Sequence, residues 1–414
     1  MSEFSNFEPI SRNTYILIMD CIAKNQIYIW NENALLGRLC WPKLIVNILA
    51  VVSHVAGVIE RKSQGADLVQ LSNDLSATLI LCQASCLYIQ FCANKKLIKN
   101  LIMNLDSKWR TDDQLRPEMI AMKHKSVQSF YKLMLLSFFT VFNKGLYYFS
   151  HTYLLSRLVY VAVCRLLLRR DVGFIMTFHI KMPFRYDDNF TLYCLVYLAD
   201  STILLNVAYL VTSDLLLMNA AMRDLRLLFV MLQDDLRHIV QPGVDHGTAE
   251  RRLKAIIPQH QDLLQLMAQL SEAFGTIFFI HLAFFSGTMC FFGFAARIHC
   301  NAESIQNLPA VAIILISIYT CCTSGQHLTD ASMDIAEAAY DSQWQLMSHE
   351  YRKCILFIIL RSQTAQYIKS TSFTDVSLTT FTKVRTAVRH LLRHSLKSPC
   401  EFIFKPNCGL KLTK

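Results

Sequence analysis

FTLYCLVYLADSTILLNVAYLVTSDLLLMNAAMRDLRLLFVMLQDDLRHI, residues 190–239, changes character half-way along. Its first part, 190–213, carries Asp200 as its single formal charge. It is long and apolar enough to cross a bilayer, which takes about 20 residues. The remainder keeps apolar residues on a helical period (Leu217, Leu225, Leu228, Met231, Leu232, Leu236) among Arg223, Asp224, Arg226, Asp234 and Asp235. A membrane span that runs on as an amphipathic helix must bury that stripe beyond the bilayer. It can pack on its neighbours, on another subunit or along the lipid surface, and subunit packing suits it best.

The rest of the chain fits a polytopic membrane protein. Of 414 residues, 53% are hydrophobic and 17% charged, against roughly a quarter charged in soluble domains. Six stretches have span character: 44–59, 75–93, 133–156, 190–213, 273–296 and 308–325. Residues 1–43 are polar, with Glu3, Glu8, Arg12, Asp20 and Lys24 among apolar residues, and form at most a doubtful further span. They show no apolar run with a small-residue cleavage site, so the first span is expected to act as its own insertion signal.

The net charge of +10 belongs mainly to the tail, since residues 383–414 hold eight Lys/Arg and one Glu. A basic tail on a nearly balanced body does not make a nucleic-acid binder. Fourteen cysteines contain no CxxC pair and no zinc spacing. Inside spans a thiol serves as a small apolar residue, although an outer-face disulfide of Cys290 with Cys300 stays open. There is no phosphate loop, metal cluster or nucleophile motif, which argues against an enzyme or a cofactor.

Charge bias suggests an orientation. Loop 94–132 and the segment after 213 are rich in Lys and Arg, whereas the loop after 296 has Arg297 alone. A cytoplasmic N-terminus puts both basic segments inside, as the positive-inside rule favours. Segment 157–186, also basic, opposes this. The sequon at Asn189 would then lie outside, close to the membrane. Gln241-Pro242-Gly243 ends the extension of 214–239, a second periodic run leads into 273–296, and residues 327–350 read as a third helix.

Two stretches carry a resemblance. CCTSGQHLTDASMDIAEAAYDSQW, 321–344, holds Gly325-Gln326, Leu328, Ser332, Ile335, Ala339-Tyr340 and Trp344. ILRSQTAQYIKSTSFTDVSLTTFTKV, 359–384, holds Arg361-Ser362-Gln363, Phe373, Val376-Ser377-Leu378 and Phe381. With MPFRYDDN at 182–189 and the order of the spans, these resemble the insect odorant receptors. The resemblance implies an all-α membrane protein, a seven-transmembrane helical bundle with inverted, N-inside topology and cytoplasmic helix extensions. It implies a multi-pass subunit in the plasma membrane of sensory-neuron dendrites. That subunit joins a coreceptor in a heterotetrameric, non-selective cation channel gated by volatile organic molecules.

The organisation that follows is 1–43 a cytoplasmic segment, 44–213 a four-span ligand bundle, 214–272 cytoplasmic extensions, 273–325 two further spans, 326–384 an anchor helix and the start of the pore helix, and 385–414 an atypical basic tail. Tyr340 and Trp344, four apart, with Arg361 and Gln363, are expected to anchor subunits. The resemblance gives Val376, Thr380, Phe381 and Val384 to the pore helix. It stops at about Val384, where Arg385, Arg389 and Arg393 recur with His390 and His394. A central arginine costs about 2.5–3.5 kcal/mol on insertion, so this stretch reads as a basic amphipathic helix on a surface. The tail is then either natural divergence or the product of a shifted frame or retained intron, with a damaged pore.

A volatile ligand needs a small apolar cavity with few polar groups. In the outer halves of the spans that cavity would involve Leu75, Tyr147, Tyr148, Tyr193, Tyr197 and Ile314. Lys144 and Asp200 share a depth and are read either as an intramembrane ion pair or as two groups separately facing water. His54 and His281 read as hydrogen-bonded core residues. The competing classes are a gustatory-type receptor, a G-protein-coupled receptor and a transporter. The Arg361-Ser362-Gln363 run, the charge bias and the lack of a repeated span pattern count against each in turn.

Overall fold

The computed structural model describes residues 6–23, 40–138, 159–161, 163–164, 180–185, 189–240, 245–298, 307–371 and 374–394, with isolated positions at 25, 27 and 29. The described chain is a bundle of long helices: α1 (Pro9–Ala23), α2 (Cys40–Ser63), α3 (Leu68–Lys108), α4 (Pro117–Phe138), α5 (Phe190–Arg237), α6 (His246–Ile298), α7 (Asn307–Met333), α8 (Ile335–Tyr340), α9 (His349–Ser362) and α10 (Leu378–His394). A two-stranded antiparallel hairpin, β1 (Lys369–Thr371) and β2 (Thr374–Asp375), precedes α10.

Among the described residues, α2, α3, α5, α6 and α7 contain stretches long and apolar enough to cross a membrane. The 133–156 stretch begins in α4, and its remainder lies outside the described residues. With 15 residues, α1 is short for a span. It lies instead on α5 and α4, burying Tyr15, Ile18, Met19 and Ile22.

Each span buries one face and shows another. Ile45, Ile48, Leu49, Val52 and Ile59 of α2 are exposed, as are Leu195 and Leu198 of α5 and Ile316 of α7. Apolar exposure of this kind suits hydrocarbon, where only the closed backbone of a helix is tolerated. Helix α3 packs most extensively on α6, and α7 lies against α5 and α6. Two glycines permit backbone contact between distant segments. A Cβ on Gly275 of α6 would overlap the Lys369 carbonyl oxygen of β1, and one on Gly325 of α7 would overlap the Val376 carbonyl oxygen.

Helices α5 and α6 run unbroken for 48 and 53 residues, the latter through Pro258. Their ends beyond the spans are tied by Arg110 to Asp235, Arg116 to Asp234 and Lys108 to Asp262. These pairs are partly exposed and each is worth little. Gln233, buried in α5, donates to the Ala331 carbonyl of α7 at 2.7 Å.

One expectation is corrected. Residues 327–350 are not one helix: α7 stops at Met333, α8 takes six residues, and a 3-10 turn covers Trp344–Leu346. Gln343, at φ 51°, is the left-handed residue that turns the chain, and the Ser342 hydroxyl closes α8 by donating to the Ala339 carbonyl at 2.6 Å. The last helix, α10, rests on α6 and α7 through Phe381, Val384 and Val388, which form a partly buried apolar stripe on its inner side, and leaves Lys383, Arg385 and Arg389 exposed.

Candidate functional site

Near its start, α5 carries a run of aromatics. Asn189 caps the helix, its side-chain oxygen accepting from the Thr191 and Leu192 amides at 3.0 and 3.4 Å. One turn apart, Tyr193 and Tyr197 are both sealed from solvent, with ring centroids 5.8 Å apart. Phe190 stands 6.3 Å from Tyr193. Val161, Ile180, Val196 and the partly buried Met182 complete this small core. The Met182 segment is fastened to α2 by Ser53, whose hydroxyl donates to the Lys181 carbonyl at 2.9 Å and whose carbonyl accepts from the Lys181 amide at 3.1 Å.

Asp200 lies one turn beyond Tyr197. Its carboxylate meets the His54 Nε2 of α2 at 3.1 Å, and the two residues are 6% and 1% exposed. The described structure therefore gives Asp200 a histidine on the first span. Lys144, Tyr147 and Tyr148 lie outside the described residues. Ile314 sits in the larger core and Leu75 is half-buried on α3; neither joins the tyrosine cluster.

A second buried polar group joins three helices. His281 of α6 meets Gln83 of α3 at 2.8 Å and Asp214 of α5 at 2.9 Å, all three at most 2% exposed. Its ring lies tilted against Phe285, with centroids 5.2 Å apart. Burying such groups is costly unless they bond one another, so both histidine pairs fix the register of their helices. The sequence showed each residue, but not which helix would face which.

Beyond the spans, Asp224 accepts from the Tyr15 hydroxyl at 2.8 Å and from Arg223 Nε at 2.7 Å. The Arg223 guanidinium lies 4.6 Å over the Phe130 ring. Burial pushes the Tyr15 hydroxyl well above its usual range, and the facing Asp224 adds to this. Burial likewise raises Asp224, against the pull of Arg223. Glu8, Asp112 and His124 converge nearby, but the Lys123 ammonium already sits between the two carboxylates.

The expected anchor residues are only partly united. Tyr340 and Trp344 meet with ring centroids 6.1 Å apart, across the end of α8 rather than along one helix. Arg361 and Gln363 are exposed at the end of α9, whose Leu356, Phe357 and Leu360 are exposed too. The Arg361 charge bears on buried His260 of α6, whose pKa burial lowers to about 4, with Arg361 adding to the fall. Of the expected pore residues, Val376 and Thr380 are buried, while Phe381 stacks edge-on to Tyr319 at 5.4 Å. Phe373 lies outside the described residues.

The cavities among the described residues include two of about 350 Å³. One, between α6 and α10, is lined by Ser286, Gly287, Cys290, Lys383, Val384, Ala387 and Val388. The other lies at the far end, around Trp109 and Arg110. Neither is lined by Leu75, Tyr193, Tyr197 or Ile314.

A sequence model described as 7tm Odorant receptor matches residues 67–388. The chain belongs to the odorant receptor family. The match extends beyond Val384, where the sequence motifs alone had lost it, and takes in Arg385, the first arginine of α10. Odorant receptor 85c of Drosophila melanogaster is 27% identical over 233 residues, 55% of this chain and 59% of that protein. Odorant receptor 85b of the same fly is 26% identical over 214 residues, 51% of this chain and 54% of its own length. The chain thus spans somewhat over half the length of these curated relatives. The insect olfactory receptor OR5 from Machilis hrabei shares the fold, with a TM-score of 0.69 and 13% identity over 93% of this chain and 98% of that one. The same receptor, solved in complex with eugenol, matches equally well, at 0.69 over 94% and 99%. As an odorant receptor, this chain is a multi-pass membrane protein of a receptor family rather than an enzyme family.

Proposed function

We propose that this chain is the ligand-binding subunit of an odorant-gated, non-selective cation channel in the dendritic plasma membrane of sensory neurons, with its N-terminus cytoplasmic. Family membership supports the receptor role, and the solved relative with eugenol makes a small volatile organic ligand the natural class. The observation that carries the reading is the sealed Tyr193–Tyr197 pair beside the His54–Asp200 pair at one end of the spans. It combines apolar side chains with a few polar groups, the composition of small-molecule sites. The proposed ligand contacts also include Leu75, Tyr147, Tyr148 and Ile314, with Lys144 a second charge; Leu75 and Ile314 stand apart from the tyrosine cluster.

The partner is a coreceptor in a heterotetramer. Exposed Tyr340, Arg361 and Gln363, with Trp344 and the apolar face of α9, are the proposed contact, and Val376, Thr380, Phe381 and Val384 the proposed pore and gate. The extensions 214–272 and the segment 326–384 are then cytoplasmic. To test this, the chain is co-expressed with an odorant-receptor coreceptor and membrane current is recorded under a panel of volatiles. A matched chain carries an apolar helix after Val384. Current in either, weakened by Tyr193→Ala and Tyr197→Ala at unchanged surface level, supports the reading. Silence of both chains at normal surface level overturns it.

A further inference from the structure

We propose that the cavity between α6 and α10 binds an aliphatic acid, its carboxylate held by Lys383 and its alkyl chain by the apolar lining. The cavity lies at bilayer depth. Val376 meets Gly325 at the end of the apolar part of α7, and Phe381 stacks edge-on to Tyr319 further in. Beyond Phe381, Lys383, Val384 and Val388 line the cavity from α10, and Ser286 and Gly287 line it from α6. Those two α6 residues lie near the middle of the apolar stretch 273–296.

The lining suits hydrocarbon. Val384, Ala387 and Val388 bring no polar side-chain atom, and the Ser286 hydroxyl already donates to the Leu282 carbonyl at 2.6 Å. A volume of about 350 Å³ is that of a site for a small molecule. The one charged lining residue is Lys383. No acidic residue occurs in α10, in 273–296 or in 308–325, so neither of the helices that α10 rests on supplies a counter-charge at this depth. Lys383 and Ala387 are exposed, and the cavity therefore opens on the flank of the described bundle, within reach of molecules dissolved in the bilayer. An ammonium at this depth takes a partner charge or water. A carboxylate gives it a charge-assisted hydrogen bond, and the chain behind the carboxylate covers Val384 and Val388. An alkane lacks the first contact and an inorganic anion the second, so the two features together select an aliphatic acid. The acid is either a short volatile one or a fatty acid of the membrane, and chain length separates the two sources. The site does not depend on the channel reading, since one chain contains all of the lining.

The test uses the full chain purified into lipid nanodiscs and two photoprobes, hexanoic acid and hexadecanoic acid, each with a diazirine on its chain. Mass spectrometry locates the label, which is expected in 286–290 and 383–388. Unlabelled acid should displace its probe better than the alcohol of the same length. Lys383→Met should weaken the acid about tenfold or more and leave the alcohol unchanged, with Lys383→Gln repeating the measurement should the first variant not reach the membrane. Arg385→Gln, outside the lining, should leave both unchanged. Labelling by the hexanoic probe supports a short volatile acid as the ligand, and labelling by the hexadecanoic probe alone supports a membrane fatty acid. Label scattered over the outer faces of other helices overturns the proposal, as does label at the site that acid and alcohol displace equally well. An acid preference lowered as much by Arg385→Gln as by Lys383→Met also overturns it, because a diffuse basic field then replaces the site.

Discussion

His54 Nε2 and Asp200 Oδ1 stand 3.1 Å apart between the first and fourth apolar spans, and both residues are nearly closed to solvent. Removing one partner of a buried hydrogen-bonded pair leaves the other unsatisfied, at a cost of about 1–3 kcal/mol. Asp200→Ala is therefore expected to lower the melting temperature of the detergent-purified chain strongly. Asp200→Asn, which still bonds the imidazole, should cost less, and His54→Leu with Asp200→Leu should recover much of the loss. A double mutant as poor as the sum of its singles would show the contact to be unimportant.

Gly325 offers a backbone test. Its Cα lies where any Cβ would meet the Val376 carbonyl. Gly325→Ala should push the segment before α10 off α7 and destabilise by about 1–3 kcal/mol. Protease nicking between residues 369 and 378 would report it. Unchanged resistance in the variant would mean that this approach can relax freely.

His260 supplies a pH dependence. It is 4% exposed, and its pKa is lowered to about 4. An unfolded histidine takes its proton near pH 6.5, so between there and 4 the unfolded state binds more protons. Stability from this group is complete above pH 6.5 and is lost as pH falls towards 4, by at most about 3 kcal/mol. His260→Leu should flatten the melting temperature against pH in that window. Arg361→Gln should raise the folded-state pKa by relieving the repulsion, so that the loss becomes smaller and ends at a higher pH. A slope equally steep in His260→Leu would assign the acid sensitivity elsewhere.

Tyr15 ties α1 to Asp224 across the molecule. Tyr15→Phe removes one bond to a buried carboxylate, worth about 1.5–3 kcal/mol for a charged acceptor. Faster amide exchange should appear in Pro9–Ala23 while α5 stays protected. Equal slowing in both chains would mean that apolar contacts alone hold α1.

The spans were legible because hydropathy needs no knowledge of partners. Residues 190–213 read as a span from composition alone, and their amphipathic continuation from its period. What failed was local detail. The break after α8 was hidden because Gln343, neither glycine nor asparagine, takes the left-handed conformation. Asp200 was recognisable as a costly charge, but pairing is a property of which helix stands opposite, and His54 lies 146 positions away.

The unbroken α5 has a mechanical consequence. From Tyr193, beside the proposed pocket, to Gln233, bonded to Ala331, there is no hinge. That separation is about 60 Å at 1.5 Å per residue, so a tilt of about 2° at one end displaces the other by about 2 Å. A stiff lever of this length turns a slight shift around one tyrosine into a movement as large as a hydrogen bond can bridge.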